Sequence, residues 1–347
     1  MTNVKIRYKI YVNANNLHLH KFRGDNMKSI NLIKKSKVHN GKVIVILTVL
    51  MLFSASLIGC NTNTSSKSVT DKSMVQAVGA ENEYADVISQ IGGKYVSVTA
   101  VMSNPSTDPH SYEANTKDET QISKATLIVQ NGLGYDDFMD KLEDSSKSSS
   151  RTVINVAKSL GYSDNTQNPH LWYKPDTMER VAKLVAKNLE SQLPANKKYF
   201  EDRLTKFNAS LNTWKNDMNE LQKTYAKAGV AVTEPVANYL LEASGLNVET
   251  PWGFQASVMN GTDPSPQNVK TQEDLLKEKK VKVFVYNQQA IDDVTTNLLK
   301  IAKSNNIPIV GVYETMPPKH TYQTWMEDET KNILKALKDK ISTETMS

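Results

Sequence analysis

The chain contains a single cysteine, Cys60, so no disulfide can form within it and the fold must rest on its apolar core. Histidine is nearly as scarce, six residues in all, and three of them (His18, His20 and His39) precede residue 40. There is no His-Glu-x-x-His pair and no Gly-x-x-x-x-Gly-Lys loop, and Asn131-Gly132-Leu133-Gly134 stops short of Gly-x-Gly-x-x-Gly. Those absences remove the zincin, P-loop and dinucleotide-binding readings. With 39% apolar and 23% charged residues, the composition is that of an ordinary globular protein, and 347 residues suffice for two domains.

The net charge of +5 is distributed unevenly. Residues 1–60 carry ten Lys or Arg against one acid, Asp25, which leaves 32 basic and 36 acidic residues in the remainder, a net charge of −4. A mildly acidic body argues against nucleic acid as a partner. The basic excess has a local cause. Lys34, Lys35, Lys37 and Lys42 precede the apolar run of residues 43–53, which is followed by Leu57-Ile58-Gly59-Cys60. A basic segment, an apolar segment and a short cleavage region are the parts of an export signal. The last four residues resemble the lipobox of bacterial lipoproteins, which makes Cys60 the expected lipidation site and the outer face of a cell membrane, of a Gram-positive bacterium, the expected location. Two acyl chains on one cysteine would suffice for stable anchoring. Residues 1–26 look unlike the start of a signal, and Met27-Lys28 is a better initiation point.

Residues 61–73 are a Ser/Thr/Asn/Lys stretch expected to act as a flexible tether. Short apolar runs then alternate with amphipathic segments. Val75–Ala80, residues 95–102, Leu127-Ile128-Val129 and residues 152–156 read as strands; Tyr84, Val87, Ile88 and Ile91 line one face of a helix between the first two. The middle differs: residues 176–228 are helical, with one breaker at Pro194 and with Phe200, Leu204, Phe207, Leu211, Trp214, Met218 and Leu221 at helical spacing. Strand and helix alternation resumes with residues 230–233, 281–286 and 307–312 as strands. The expected fold is α/β: two lobes, 74–175 and 229–347, each a mostly parallel sheet flanked by helices, joined by one long rigid helix within 176–228. A ligand would sit in the cleft between the lobes.

Past the signal only His110, His170 and His320 remain. Two share a context, Asp108-Pro109-His110 and Asn168-Pro169-His170, each in a loop after a strand, where proline stiffens the turn that presents the ring. Imidazole is the commonest neutral metal ligand, and one ring from each of two distant loops suits a preorganised ion site. Two unrelated histidines are the plainer account, and the repeated Pro-His is what weighs against it.

With Leu127-Ile128-Val129-Gln130-Asn131-Gly132-Leu133-Gly134, the helical middle and Thr233-Glu234-Pro235, these motifs make the chain resemble the metal-specific substrate-binding proteins of ABC importers, the TroA-like zinc and manganese lipoproteins. The likeness runs over residues 74–340. It implies His110 and His170 as two metal ligands and Glu234, after the first strand of the second lobe, as a third. The family's fourth ligand is an Asp after a later strand; here Ile309-Val310-Gly311-Val312-Tyr313-Glu314 lacks it, which makes Glu314 the candidate and Asn287 and His320 the alternatives. For Glu234 and Glu314 a helix-capping or solvated acid is the competing account. Two imidazoles and two carboxylates suit Zn2+ or Mn2+ as the carried ion. The implied function is capture of a divalent transition metal and delivery to a membrane ABC permease by a monomeric, non-enzymatic lipoprotein. An exported metallohydrolase on the same histidines, or an adhesin with a structural metal, are the rival classes.

Overall fold

The computed structural model describes residues 7–13, 16–23, 26–30, 74–105 and 112–346. The apolar run and Cys60 of the expected export signal, the expected tether at 61–73 and His110 lie outside the described residues. The chain divides into two units, Met1–Ser68 and Val69–Ser347. In the first, β1 (Arg7–Asn13), β2 (Asn16–Arg23) and β3 (Asn26–Ile30) form an antiparallel sheet in that order.

The second unit holds both lobes. In the N-terminal lobe β4 (Val75–Glu81), β5 (Val96–Met102), β6 (Leu127–Gln130) and β7 (Thr152–Asn155) form a parallel sheet in the order β5-β4-β6-β7. Helices α1 (Asn82–Gly92), α2 (Thr116–Lys124), α3 (Phe138–Ser145) and α4 (Val156–Leu160) make the crossovers and cover it. Alternation along each strand feeds two apolar layers: Ala77, Leu127 and Val129 face the layer holding Tyr84, Val87, Ile88 and Ile91 of α1, while Val78, Ala80 and Ile128 face Ile122, Met139 and Leu142.

The C-terminal lobe repeats the plan. β8 (Gly229–Val232), β9 (Asn247–Val248), β10 (Val283–Asn287) and β11 (Ile309–Val312) are parallel in the order β11-β10-β8-β9. Around them lie α8 (Asn238–Ala243), α9 (Trp252–Met259), α10 (Pro266–Lys277) and α11 (Asp293–Ser304). Val283 and Val285 face the core shared with the other lobe; Phe284 and Tyr286 face the layer under α9–α11.

The connector is α5 (Thr177–Gln192), a 3-10 turn at Pro194–Asn196, α6 (Lys197–Ser210) and α7 (Asn212–Tyr225). Pro194 breaks the helix as expected. The stretch after it is interrupted at Leu211 alone, whose φ of −78° and ψ of −8° stay close to helical values, so α6 and α7 act nearly as one rod. The buried rings of Phe200, Phe207 and Trp214 fix it to the core. The last helix, α12 (Tyr322–Asp339), packs on α7 and α1; Trp214 Nε1 donates to Thr330 Oγ1 at 2.9 Å.

In both sheets the first strand is flanked on one side by the second and on the other by the third. The chain therefore reverses direction across the sheet between β4 and β6, and again between β8 and β10. Such switch points leave a crevice at the carboxyl ends of the strands. The last residues of β4 and β10, Glu81 and Asn287, and the loops that follow β6, β8 and β11, with Asn131, Glu234 and Glu314, lie at these carboxyl ends.

Candidate metal centre

His170, Glu234 and Glu314 are buried, at 0%, 3% and 0% relative exposure. The structure brings them together from three loops. His170 Nε2 lies 3.2 Å from Glu314 Oε2. Asn287 Nδ2 donates to Glu314 Oε1 at 2.5 Å and to Glu234 Oε1 at 3.1 Å, so a single amide links the two carboxylates. Tyr135, in the loop after β6, donates its hydroxyl to Glu314 Oε2 at 3.0 Å. Burial, and next the Glu314 charge, push the Tyr135 hydroxyl well above its ordinary range, so it remains a donor.

The protonation pattern of His170 follows from its neighbours. Asn168 Nδ2 donates to the Pro235 carbonyl at 2.9 Å, which fixes the orientation of that amide. Its Oδ1 therefore accepts, from the His170 backbone N–H at 3.1 Å and from Nδ1 at 2.7 Å. With the proton on Nδ1, a neutral ring presents the Nε2 lone pair to Glu314. The facing atom Oε2 is itself an acceptor. Two acceptors held 3.2 Å apart in a buried site need a cation or a proton between them. A metal ion is the species that an imidazole lone pair and a carboxylate oxygen share most readily.

The Pro-His loop is braced from behind. Asn131 Nδ2 donates to the Pro169 carbonyl at 2.8 Å, and Tyr84 donates to Asn131 Oδ1 at 2.6 Å. Asp136 accepts from the backbone N–H groups of Asn131 and Gly132 at 2.5 and 2.8 Å. Burial raises the Asp136 carboxyl to about 7 in spite of those bonds. Gly132 has φ +84°, and a Cβ there would lie 2.6 Å from Asn155 Oδ1, so this loop requires glycine at that position. Tyr239 donates to the Asn168 carbonyl at 3.0 Å from α8. Pro235 and Tyr239 belong to the C-terminal lobe, so the His170 loop is held from both sides of the cleft.

Two further acids stand behind the site. Glu81 and Glu83, at the end of β4 and the start of α1, are both fully buried, and among the described residues their carboxyl oxygens have no partner beyond their own backbone N–H groups. Burial pushes both far above the usual carboxylate range; Asp136 and Glu83 add to it for Glu81, and Glu314 and Asp136 for Glu83. A cavity of about 630 Å³, lined in part by Glu234, Met259, Thr262, Asp263 and Gln289, reaches the site from the C-terminal lobe.

Sequence reasoning treated Asn287 and His320 as alternatives to Glu314. Asn287 is in the site, but as a donor to the carboxylates. His320 is engaged elsewhere, with Nδ1 3.0 Å from the Pro318 carbonyl and Nε2 3.2 Å from Asp328 Oδ2. Tyr135, Asn168, Glu81 and Glu83 were not singled out. Among the described residues no three His, Cys, Asp or Glu side chains gather as a ready metal cluster. His110, the other sequence candidate, lies outside the described residues.

Two parallel-sheet lobes with a rigid helical connector, and a buried imidazole–carboxylate pair in the cleft, define a two-lobed binding protein for a small cation. Residues 78–336 match the family described as zinc-uptake complex component A, periplasmic, and the chain belongs to that family. A manganese ABC transporter substrate-binding lipoprotein, PsaA of Streptococcus pneumoniae, is 26% identical over 76% of this chain and 87% of its own length. The manganese-binding lipoprotein MntA of Bacillus subtilis is 23% identical over 82% of this chain and 95% of its own. Among solved structures, FpvC of Pseudomonas aeruginosa in complex with Mn2+ superposes with a TM-score of 0.64 at 20% identity, covering 77% of this chain and 99% of that one. A crystal structure of ZnuA gives 0.61 at 21% identity, over 77% and 98%. The expected two-lobe α/β fold with its long connecting helix is thus the one observed.

Proposed function

We propose that this protein captures a divalent transition-metal ion, Zn2+ or Mn2+, outside the cell and delivers it to an ABC permease, acting as a binding protein rather than an enzyme. His170, Glu234 and Glu314 hold the ion together with His110. The observation that carries the reading is the pair of acceptors, His170 Nε2 and Glu314 Oε2, fixed face to face at 3.2 Å by Asn168 and Tyr135. Two neutral rings and two carboxylates balance a dication. Family membership supports the transport role, as do relatives named as metal ABC transporter substrate-binding lipoproteins. Anchoring is by a lipid on Cys60, with 61–73 as tether and 74–175, 176–228 and 229–347 as lobe, connector and lobe.

The test is calorimetric titration of Zn2+ and Mn2+ into the metal-stripped protein and into a His110→Ala, His170→Ala double variant. Micromolar or tighter binding should be lost in the variant. Unchanged affinity would remove the assignment. Loss of uptake of one metal in a deletion strain, restored by excess of that metal, would separate transport from an adhesive or hydrolytic role.

A further inference from the structure

Asn287 is the last residue of β10 and is 1% exposed. Its own geometry is fully determined. The backbone N–H donates to Thr233 Oγ1 at 3.0 Å, and Oδ1 accepts from the Gln289 backbone N–H at 2.9 Å. With Oδ1 turned back to its own loop, Nδ2 points into the site, and its two hydrogens are divided between Glu234 Oε1 and Glu314 Oε1. A lysine or arginine here would neutralise the acids. An amide orders them and leaves their charge for the ion.

The consequence concerns how many oxygens each acid can offer. A hydrogen bond from Asn287 to Oε1 of each acid weakens that oxygen as a ligand and favours binding of a metal through the other oxygen of each carboxylate. For Glu314 that oxygen is Oε2, the atom already placed opposite His170 Nε2. Gln289 fixes the same loop from the other side, its Oε1 accepting from the backbone N–H groups of Glu314 and Thr315 at 2.6 and 2.9 Å. With its backbone held by Gln289 and its two oxygens bonded by Asn287 and Tyr135, the Glu314 carboxylate is held in one orientation. One oxygen from each of two acids and one nitrogen from each of two imidazoles make four donors, the number zinc takes in closed protein sites. Manganese favours about six donors, mostly oxygen, which the same residues supply only when carboxylates chelate.

Resting on the metal-capture reading above, the geometry points to Asn287 as a specificity-determining residue: it clamps Glu234 and Glu314 as one-oxygen ligands and biases this chain toward Zn2+ over Mn2+. The bias runs opposite to the manganese named for PsaA and MntA.

The experiment compares wild type with Asn287→Ala in the metal-stripped full chain, by competition titration of Zn2+ and Mn2+, with X-ray absorption on the zinc-loaded wild type. The wild type should show four nitrogen and oxygen neighbours near about 2.0 Å. In Asn287→Ala the zinc-to-manganese affinity ratio should fall about tenfold or more, the size of effect that residues supporting metal ligands have. A ratio within twofold of wild type in a folded variant that binds both metals overturns the clamp. Five or six neighbours around zinc in the wild type overturn it without any variant, which keeps the test valid if Asn287→Ala fails to fold. A wild type that binds neither metal overturns the metal-capture reading itself, a separate and recognisable result.

Discussion

Replacing Asn168 by alanine tests whether the tautomer of His170 is set from behind, and the size of the effect can be worked out beforehand. The change removes the acceptor for His170 Nδ1 at 2.7 Å and for its backbone N–H at 3.1 Å, and the donor to the Pro235 carbonyl at 2.9 Å. Without that acceptor the imidazole proton is no longer held on Nδ1, and the ring is free to turn. Removing such a partner of a metal-bound histidine costs about 10- to 100-fold in metal affinity, or about 1.4 to 2.7 kcal/mol. Three buried hydrogen bonds lost together also cost the metal-free fold on the order of 3 kcal/mol. The two effects separate experimentally. Calorimetry on folded protein reads the affinity, and denaturant unfolding of stripped protein reads the stability. Asn168→Asp is the control, because it keeps an acceptor for Nδ1 while losing only the bond to Pro235. Its affinity should stay within about threefold of wild type, as expected for a carboxylate behind a metal-bound histidine. If Asn168→Ala binds metal as tightly as wild type while its stability falls, Asn168 is scaffolding only and the tautomer argument is wrong.

Two further outcomes follow from groups away from the ion. Glu329 is fully buried, and its carboxyl is raised to about 8 by burial, against the opposing pull of Tyr173, Trp325 and the Tyr313 N–H. Tyr173 Oη lies 2.6 Å from both the Tyr313 carbonyl and Glu329 Oε2, and its one proton is divided between these two acceptors. The unfolded chain releases the Glu329 proton near pH 4.5 and the native state only near 8, so stability should fall as pH rises through that window, by up to on the order of 4 kcal/mol. Glu329→Gln should flatten the decline between pH 5 and 8 in urea titrations; parallel curves would contradict the assignment. Trp214→Ala should destabilise by about 3 to 5 kcal/mol, since the ring is wholly buried on the connector and bonded to Thr330; a loss below about 1 kcal/mol would mean the connector is not fixed to the core there.

The parts of the fold legible in the sequence were those with a strong period or an evident breaker. Tyr84, Val87, Ile88 and Ile91 marked α1 because all four turn inward, and Pro194 marked the break in the connector. Helix α9 was missed because Trp252, Phe254, Ala256, Val258 and Met259 put apolar groups all around it, leaving no stripe. Strand β9 has two residues, too few for alternation to show. Helix α3 begins only at Phe138, because Gly132, Leu133 and Gly134 all have positive φ and the loop continues beyond them. The interruption at Leu211 involves no proline or glycine. Glu234 and Glu314 stood out as residues just after strands, and His170 as half of a repeated Pro-His in a chain poor in histidine. Asn168 and Asn287 were not, since an asparagine acquires its role only from the group that folding places opposite it.

The contacts that join α1 to the far end of the molecule have a mechanical consequence. Asn82 Nδ2 donates to the Met316 carbonyl at 2.8 Å while its Oδ1 accepts from the Met316 N–H at 3.0 Å, and Gln90 and Gln323 exchange two amide bonds of 2.8 Å. Neither handshake carries a formal charge, so neither is screened by salt. A molecule fastened this way keeps these two contacts in dilute and in salty surroundings alike.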